Sequence, residues 1–210
     1  MESIIKGIYT DILEGNHKTI QTKIQFAIQA GIEPSTILQK GMIAAMAEVG
    51  RLFEEGEFYI PEMLVAARAM QAGMAVLKPQ LVSAQIQPVG KVAIGTVTGD
   101  LHDIGKNLVS MMLEGAGFEI IDLGTDAGPE KFIDAVTKYD VDIVAISALL
   151  TTTMPNMKVI IDALIQAGLR QHVKVIIGGA PVTQNYAQAI GADGYATDAS
   201  RAVSLAKSLF

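Results

Sequence analysis

Two hydrophobic periods divide the chain. Through residues 1–85 the apolar positions recur at helical spacing. They run Ile4, Ile8 and Ile12; then Ile20, Ile24, Ala27 and Ile28; then Met42, Met46, Val49 and Phe53; then Met63, Ala67, Met70, Met74, Leu77 and Leu81. Steps of three and four place each set on one helix face, and four such segments with short joins predict a four-helix bundle. Ser35 is the expected N-cap of the third helix. Pro61 suits the first turn of the fourth, where its missing N–H costs nothing. The stretch "KPQLVSAQIQPVG" ends this pattern, and Pro79, Pro88 and Gly90 mark a linker or hinge near residues 83–90.

After Gly90 the period changes. "KVAIGTV", "FEIIDLG", "DIVAISALL", "KVIIGG" and "GYAT" are short apolar runs, and helical patterning fills residues 103–116, 129–139, 154–168, 183–190 and 198–209 between and after them. This alternation predicts an α/β domain with a flavodoxin-like (Rossmann-like) five-stranded parallel sheet and helices on both faces. The expected division is residues 1–87 for the helical domain and 88–210 for the α/β domain. Such sheets bind ligands beyond the carboxyl ends of their strands. Those ends carry Thr98-Gly99-Asp100, Gly124, Ser147-Ala148-Leu149, Gly178-Gly179 and Thr197.

Composition narrows the function classes. The chain is 50% hydrophobic but only 5% aromatic, with ten Met and no Trp, so the expected core is aliphatic and adaptable. A net charge of −6 without a basic run argues against nucleic acid as a ligand. No Cys is present, which removes disulfides, thiolate nucleophiles and Cys-ligated metal sites. "MESIIKGIYTDILEG" lacks the basic start and apolar run of a signal peptide, and no uninterrupted apolar stretch spans a bilayer. The expectation is a soluble cytoplasmic protein with no membrane partner.

The first strand runs into "GDLHDIGKN", residues 99–107. A dinucleotide site is disfavoured: G-x-G-x-x-G is missing, and Asp100 and Asp103 stand where a pyrophosphate needs N–H groups. "DIGKN" also fails the Walker pattern. Asp100, His102 and Asp103 could face a divalent ion, but zinc sites want three or four ligands, and the other histidines, His17 and His172, read as surface or capping residues. A phospho-acceptor domain needs an acid after the third strand, where this chain has "SALLTTT". A single histidine suffices if the metal arrives inside a macrocycle. Cobalt in a corrin is satisfied equatorially, and imidazole suits an axial position. Asp100 could take the other imidazole N–H and fix the tautomer. Gly105, Gly178 and Gly179 would let a bulky nucleotide tail lie close to backbone.

On these residues the chain resembles the cobalamin-binding corrinoid proteins of microbial methyltransferase systems and the corresponding modules of cobalamin-dependent methionine synthase. The family pattern D-x-H-x-x-G, S-x-L, G-G is matched in order by Asp100-Leu101-His102-Asp103-Ile104-Gly105, Ser147-Ala148-Leu149 and Gly178-Gly179. "VGRLFEEGEFYIPEMLVAARAM" at 49–70 is similar to the family's helical cap. The resemblance implies that His102 is the lower axial cobalt ligand of cobalamin or a related corrinoid, methylcobalamin in its loaded form. Asp100 would bond to His102. Gly105, Ser147, Leu149, Gly178 and Gly179 would line the cleft for the displaced tail. Thr153 takes the place of a serine that continues the relay in methionine synthase. Asp103 stays unassigned beyond a helix N-cap. Met46, Phe53, Met63 and Met70 are the expected cover of the upper cobalt face, and the 83–90 segment the expected hinge.

The function implied is a methyl carrier, a subunit of a methyltransferase system rather than a stand-alone enzyme. It would move a methyl group from a substrate-specific methyltransferase to a second corrinoid-dependent methyltransferase and an acceptor such as tetrahydrofolate, a related pterin or a thiol. A reductive activation protein is a further expected partner. A cobalamin-dependent sensor is the alternative, and a metal-dependent hydrolase built on Asp100, His102 and Asp103 a weaker one.

Overall fold

The computed structural model describes residues 2–210, which divide into two compact units. The first runs to Pro88 and includes Gly115–Gly117; the second comprises Val89–Glu114 and Phe118–Phe210.

The first unit is helical. It contains α1 (Glu2–Leu13), α2 (Thr19–Gln29), α3 (Pro34–Thr36), a π-helical stretch (Ile37–Ile43), α4 (Ala44–Glu54) and α5 (Ile60–Ser83). The stretch from α3 to α4 is continuous helix, so four helical segments are present, as the periodicity predicts. Ile8, Ile12, Ile20, Ile24, Met42 and Leu77 are fully buried and form its aliphatic interior. One expectation needs correction. Ser35 lies inside the third segment, whose N-cap position is Glu33 with Pro34 following, because proline's fixed φ starts the helix earlier. Helix α5 runs through Pro79 and ends at Ser83, where the linker is expected to begin, with Leu77 and Leu81 buried on either side of the proline. Met46, Met63 and Met70, expected to cover the upper cobalt face, are at most 2% exposed. Helix α5 is long and apolar enough to cross a membrane by length and composition. It also carries Glu62, Arg68 and Lys78 and buries Met63, Ala66, Ala67, Met70 and Leu77, as a core helix does.

The second unit is a parallel sheet of β1 (Lys91–Thr96), β2 (Glu119–Asp122), β3 (Ile143–Ser147), β4 (Lys174–Gly178) and β5 (Gly194–Tyr195), in the order β2-β1-β3-β4-β5. Its helices are α6 (Ile104–Gly115), α7 (Pro129–Tyr139), α8 (Pro155–Gln166), α9 (Gln184–Ile190) and α10 (Ala199–Ser208). Local chemistry sets the helix starts: Thr183 and Asp198 cap α9 and α10 by accepting from Tyr186 N and Arg201 N, and Pro129 and Pro155 open α7 and α8. Phe132 of α7 is fully buried against the sheet, where a side chain at Gly95 of β1 would meet its ring at 2.9 Å. Strand order reverses between β1 and β3, so the loops after these two strands diverge and open a crevice at the carboxyl edge.

Candidate functional site

Register fixes the floor of the crevice. Thr96 pairs with Ser147, and Ser147 with Gly178, so three neighbouring strands end in one row. Immediately beyond the row, Gly179 has φ +131, and a Cβ there would lie 1.9 Å from the Ala148 carbonyl oxygen. Only glycine lets these two loops approach so closely. At Gly105, in the first turn of α6, a Cβ would meet nothing within 4 Å, so the missing side chain leaves open space.

Asp100 is the centre of the site and is fully buried. Its Oδ2 accepts from Leu149 N at 2.8 Å, Leu150 N at 3.3 Å and Thr153 Oγ1 at 2.7 Å. The Thr153 hydroxyl also lies 3.0 Å from Leu150 O, but it has one proton, and the shorter contact to a charged acceptor claims it. Oδ1 accepts from His102 N at 3.1 Å and His102 Nδ1 at 2.7 Å. Burial works to raise the Asp100 pKa, but the Leu149 N–H, the Thr153 hydroxyl and the two His102 bonds outweigh it and hold the carboxyl well below its usual range. An ionised carboxylate only accepts, so Nδ1 of His102 carries the proton and Nε2 is the basic nitrogen left for an outside partner. The His102 side chain is 52% exposed.

The loop bearing this pair is fastened along its length. Thr96 Oγ1 donates to His102 O at 2.9 Å, Gly99 N to Asp126 Oδ1 at 2.8 Å, and Asn156 Nδ2 to Thr98 O at 2.7 Å. Sequence reasoning missed Thr96, Asp126, Asn156 and Leu150. Thr96 had a signal, a polar residue closing an otherwise apolar strand. Leu150 acts through its N–H, which no side-chain pattern reports.

Asp103, proposed from sequence among the site residues, turns elsewhere. Its Oδ2 accepts from Asn107 Nδ2 at 3.1 Å, while Asp100 is consumed by Leu149, Thr153 and His102. The three side chains of "DLHD" therefore do not converge, and among the described residues no group of three or more His, Cys, Asp or Glu could hold a metal ion. That removes the basis of the hydrolase alternative. His17 is an exposed turn residue. His172 lines a pocket of about 250 Å³ at the amino ends of β3 and β4, the sheet edge away from His102.

The donor set suits a cofactor that brings its own metal. One outward imidazole is supplied, with its tautomer fixed from behind. The same loops expose large apolar side chains: Leu101 at 74%, Ile104 at 78%, and Leu149 and Leu150 at 41% each. Apolar residues exposed together on neighbouring loops mark a surface meant to be covered. A flat, largely apolar macrocycle with one open axial position fits both features.

Two B12 binding domain models match the chain, one over residues 90–204 and one over residues 4–78. Dimethylamine corrinoid protein 1 of Methanosarcina acetivorans is 46% identical over 179 residues, 85% of this chain and 84% of that protein. The trimethylamine corrinoid protein of Methanosarcina barkeri is 45% identical over 208 residues, 98% of this chain and 96% of that protein. Among solved structures, the methanol:cobalamin methyltransferase complex MtaBC from Methanosarcina barkeri matches with TM-score 0.89 and 31% identity, over 99% of this chain and 80% of that one. The chain belongs to the B12-binding corrinoid proteins of methyltransferase systems.

Proposed function

We propose that this corrinoid protein carries methyl groups on the cobalt of a cobalamin or related corrinoid, with His102 as the lower axial ligand. The observation that carries the assignment is the hydrogen bond from His102 Nδ1 to a fully buried Asp100, which leaves Nε2 as the ligating nitrogen of a half-exposed ring. When bound, the corrinoid supplies a metal that can accept and release a methyl group; the chain supplies its axial environment and its footing. Asp100 sets the tautomer and raises the basicity of His102. Thr153 and the Leu149 N–H hold Asp100 ionised. Gly105, with Ser147 and Gly178 at the strand ends, leaves the space in which the nucleotide tail would lie.

One partner is a substrate-specific methyltransferase, supported by the methanol complex among the structural relatives. A second methyltransferase that removes the methyl group, and a protein that restores the reduced cofactor, complete the cycle in this reading. The methyl donor belongs to the methylamines, supported by relatives at 41–46% identity described as dimethylamine and trimethylamine corrinoid proteins. The setting is the cytoplasm, and the segment between α5 and β1 is the hinge that lets both partners reach one cobalt face.

The test is electron paramagnetic resonance of the protein labelled with nitrogen-15 histidine and reconstituted with cob(II)alamin. The wild type should show the two-line superhyperfine splitting of the labelled imidazole, and His102→Ala should lose it for the three-line splitting of the cofactor's own base or for none. Splitting from the label that survives in His102→Ala would overturn the ligand assignment. Methyl transfer with a methylamine methyltransferase, and none with a methanol one, checks the donor class.

A further inference from the structure

Lys106 is a buried charged side chain near this site whose placement the scheme above does not use. It is 3% exposed and sits in the first turn of α6. Both features work against it. Removing an ammonium from water carries a desolvation penalty, and a cation at a helix N-terminus faces the positive end of the helix dipole. An apolar residue of similar length would fill the same space without either cost.

What Lys106 gains is a set of partners. Its Nζ donates at 2.7 Å to both carboxylate oxygens of Asp122, the last residue of β2, and at 2.7 Å to Asn107 Oδ1. Asp122 also accepts from Gly124 N at 2.9 Å, which fixes the carboxylate in the β2 turn. Asn107 in turn donates to Asp103 Oδ2, one residue from His102. The chain of bonds thus runs from the end of β2, through Lys106 and Asn107, to the residue that follows the histidine.

We propose that Lys106 is a positioning residue for axial ligation: with Asp122 it latches the start of α6 to β2 and so holds the downstream end of the His102 loop. The upstream end is already held through Thr98, Gly99 and Asp100. A loop fixed at one end only lets the imidazole swing and sink relative to the strand ends. Fixed at both, it presents Nε2 at one height to a cobalt whose other contacts are set by the crevice. The inference rests on His102 being the ligand.

The experiment compares wild type, Lys106→Met, Asp122→Asn and His102→Ala, each reconstituted with cob(II)alamin. Each protein carries nitrogen-15 histidine, and the readouts are the nitrogen splitting from that label, the corrinoid affinity by visible absorption, and the melting temperature of the protein without corrinoid. Lys106→Met should keep its melting temperature, since the lost pair is offset by relief of burial and dipole penalties. Its corrinoid affinity should fall about tenfold, with a fraction of the cobalt losing axial nitrogen. Asp122→Asn should show the same loss of affinity and of axial nitrogen, with a lower melting temperature because it leaves the buried Lys106 ammonium without its counter-charge; it carries the test alone if Lys106→Met does not fold. Full nitrogen splitting with wild-type affinity in both variants overturns the latch, as does a fall in melting temperature with splitting unchanged. If the wild type itself shows no splitting, or His102→Ala retains it, the His102 reading fails instead.

Discussion

Each unit of the protein takes one aspartate out of water, and the two are satisfied in different ways. In the helical unit Asp11 is 3% exposed; it meets Lys23 Nζ at 2.7 Å and Thr19 Oγ1 at 2.9 Å. Lys23 also donates to Gly7 O, so the pair staples α1 to α2 and its charges cancel on the spot. In the α/β unit Asp100 is fully buried, and its partners among the described residues are N–H groups, a hydroxyl and a histidine, with no lysine or arginine. The one partner able to take up positive charge is the half-exposed His102. A buried acid closed by a fixed cation is architecture. A buried acid whose only ionisable partner faces outward passes its influence to whatever that partner binds.

Removing each carboxylate should separate the cases most widely. Asp100→Ala takes the acceptor from the Leu149 and Leu150 N–H groups, while the Thr153 hydroxyl can turn to Leu150 O and the half-exposed His102 to water, and it should cost about 2–4 kcal/mol of unfolding free energy. Asp11→Ala should cost only about 1–2 kcal/mol, because Lys23, 41% exposed, can turn to water. Urea denaturation of both variants measures the difference, and equal costs would erase the contrast.

The next effect is in acid. The native Asp100 pKa lies below that of the unfolded chain, so its contribution is complete above about pH 3.9 and is lost as pH falls toward the native value. Below about pH 3.9 the wild type should therefore lose stability faster than Asp100→Asn, by up to about 1.4 kcal/mol per pH unit. Unfolding free energies measured from about pH 5 to about pH 3 give the two slopes, and parallel curves would mean that Asp100 is not the group responsible.

Much of this contrast could be read before any coordinates. The change from helical to strand-and-helix periodicity placed the two units, and the strand ends placed Asp100, His102, Ser147, Leu149 and Gly178 at one edge, because parallel strands must all deliver their carboxyl ends together. What stayed hidden acts across sequence distance or through backbone. Asn156 reaches Thr98 across 58 residues, and the Leu150 N–H has no side-chain signature. Lys106 looked like a fragment of a phosphate loop, because its partner Asp122 lies at the end of a different strand. The helical unit was legible as a pattern but not in detail: the N-cap expected at Ser35 lies two residues earlier, at Glu33, and the buried methionines look the same in sequence whether they fill a core or cover a ligand.

The smallest effect is the most selective. Thr153→Val removes a hydroxyl from Asp100 Oδ2 while keeping the shape, and the Leu149 and Leu150 N–H groups remain on the same oxygen. The cost should be about 1 kcal/mol, and Thr153→Ser should recover most of it by restoring the hydroxyl. The methyl group is a separate matter: Thr153 is 7% exposed, so serine loses a buried methyl but no hydrogen bond. If valine costs as much as Asp100→Ala, the hydroxyl alone holds the carboxylate and the two N–H groups are spectators. If serine fails to recover the loss, the side chain matters for its bulk. In either case Asp100 would no longer be the backbone-held counterpart of Asp11, and the axial histidine would owe its environment to a single, easily exchanged side chain.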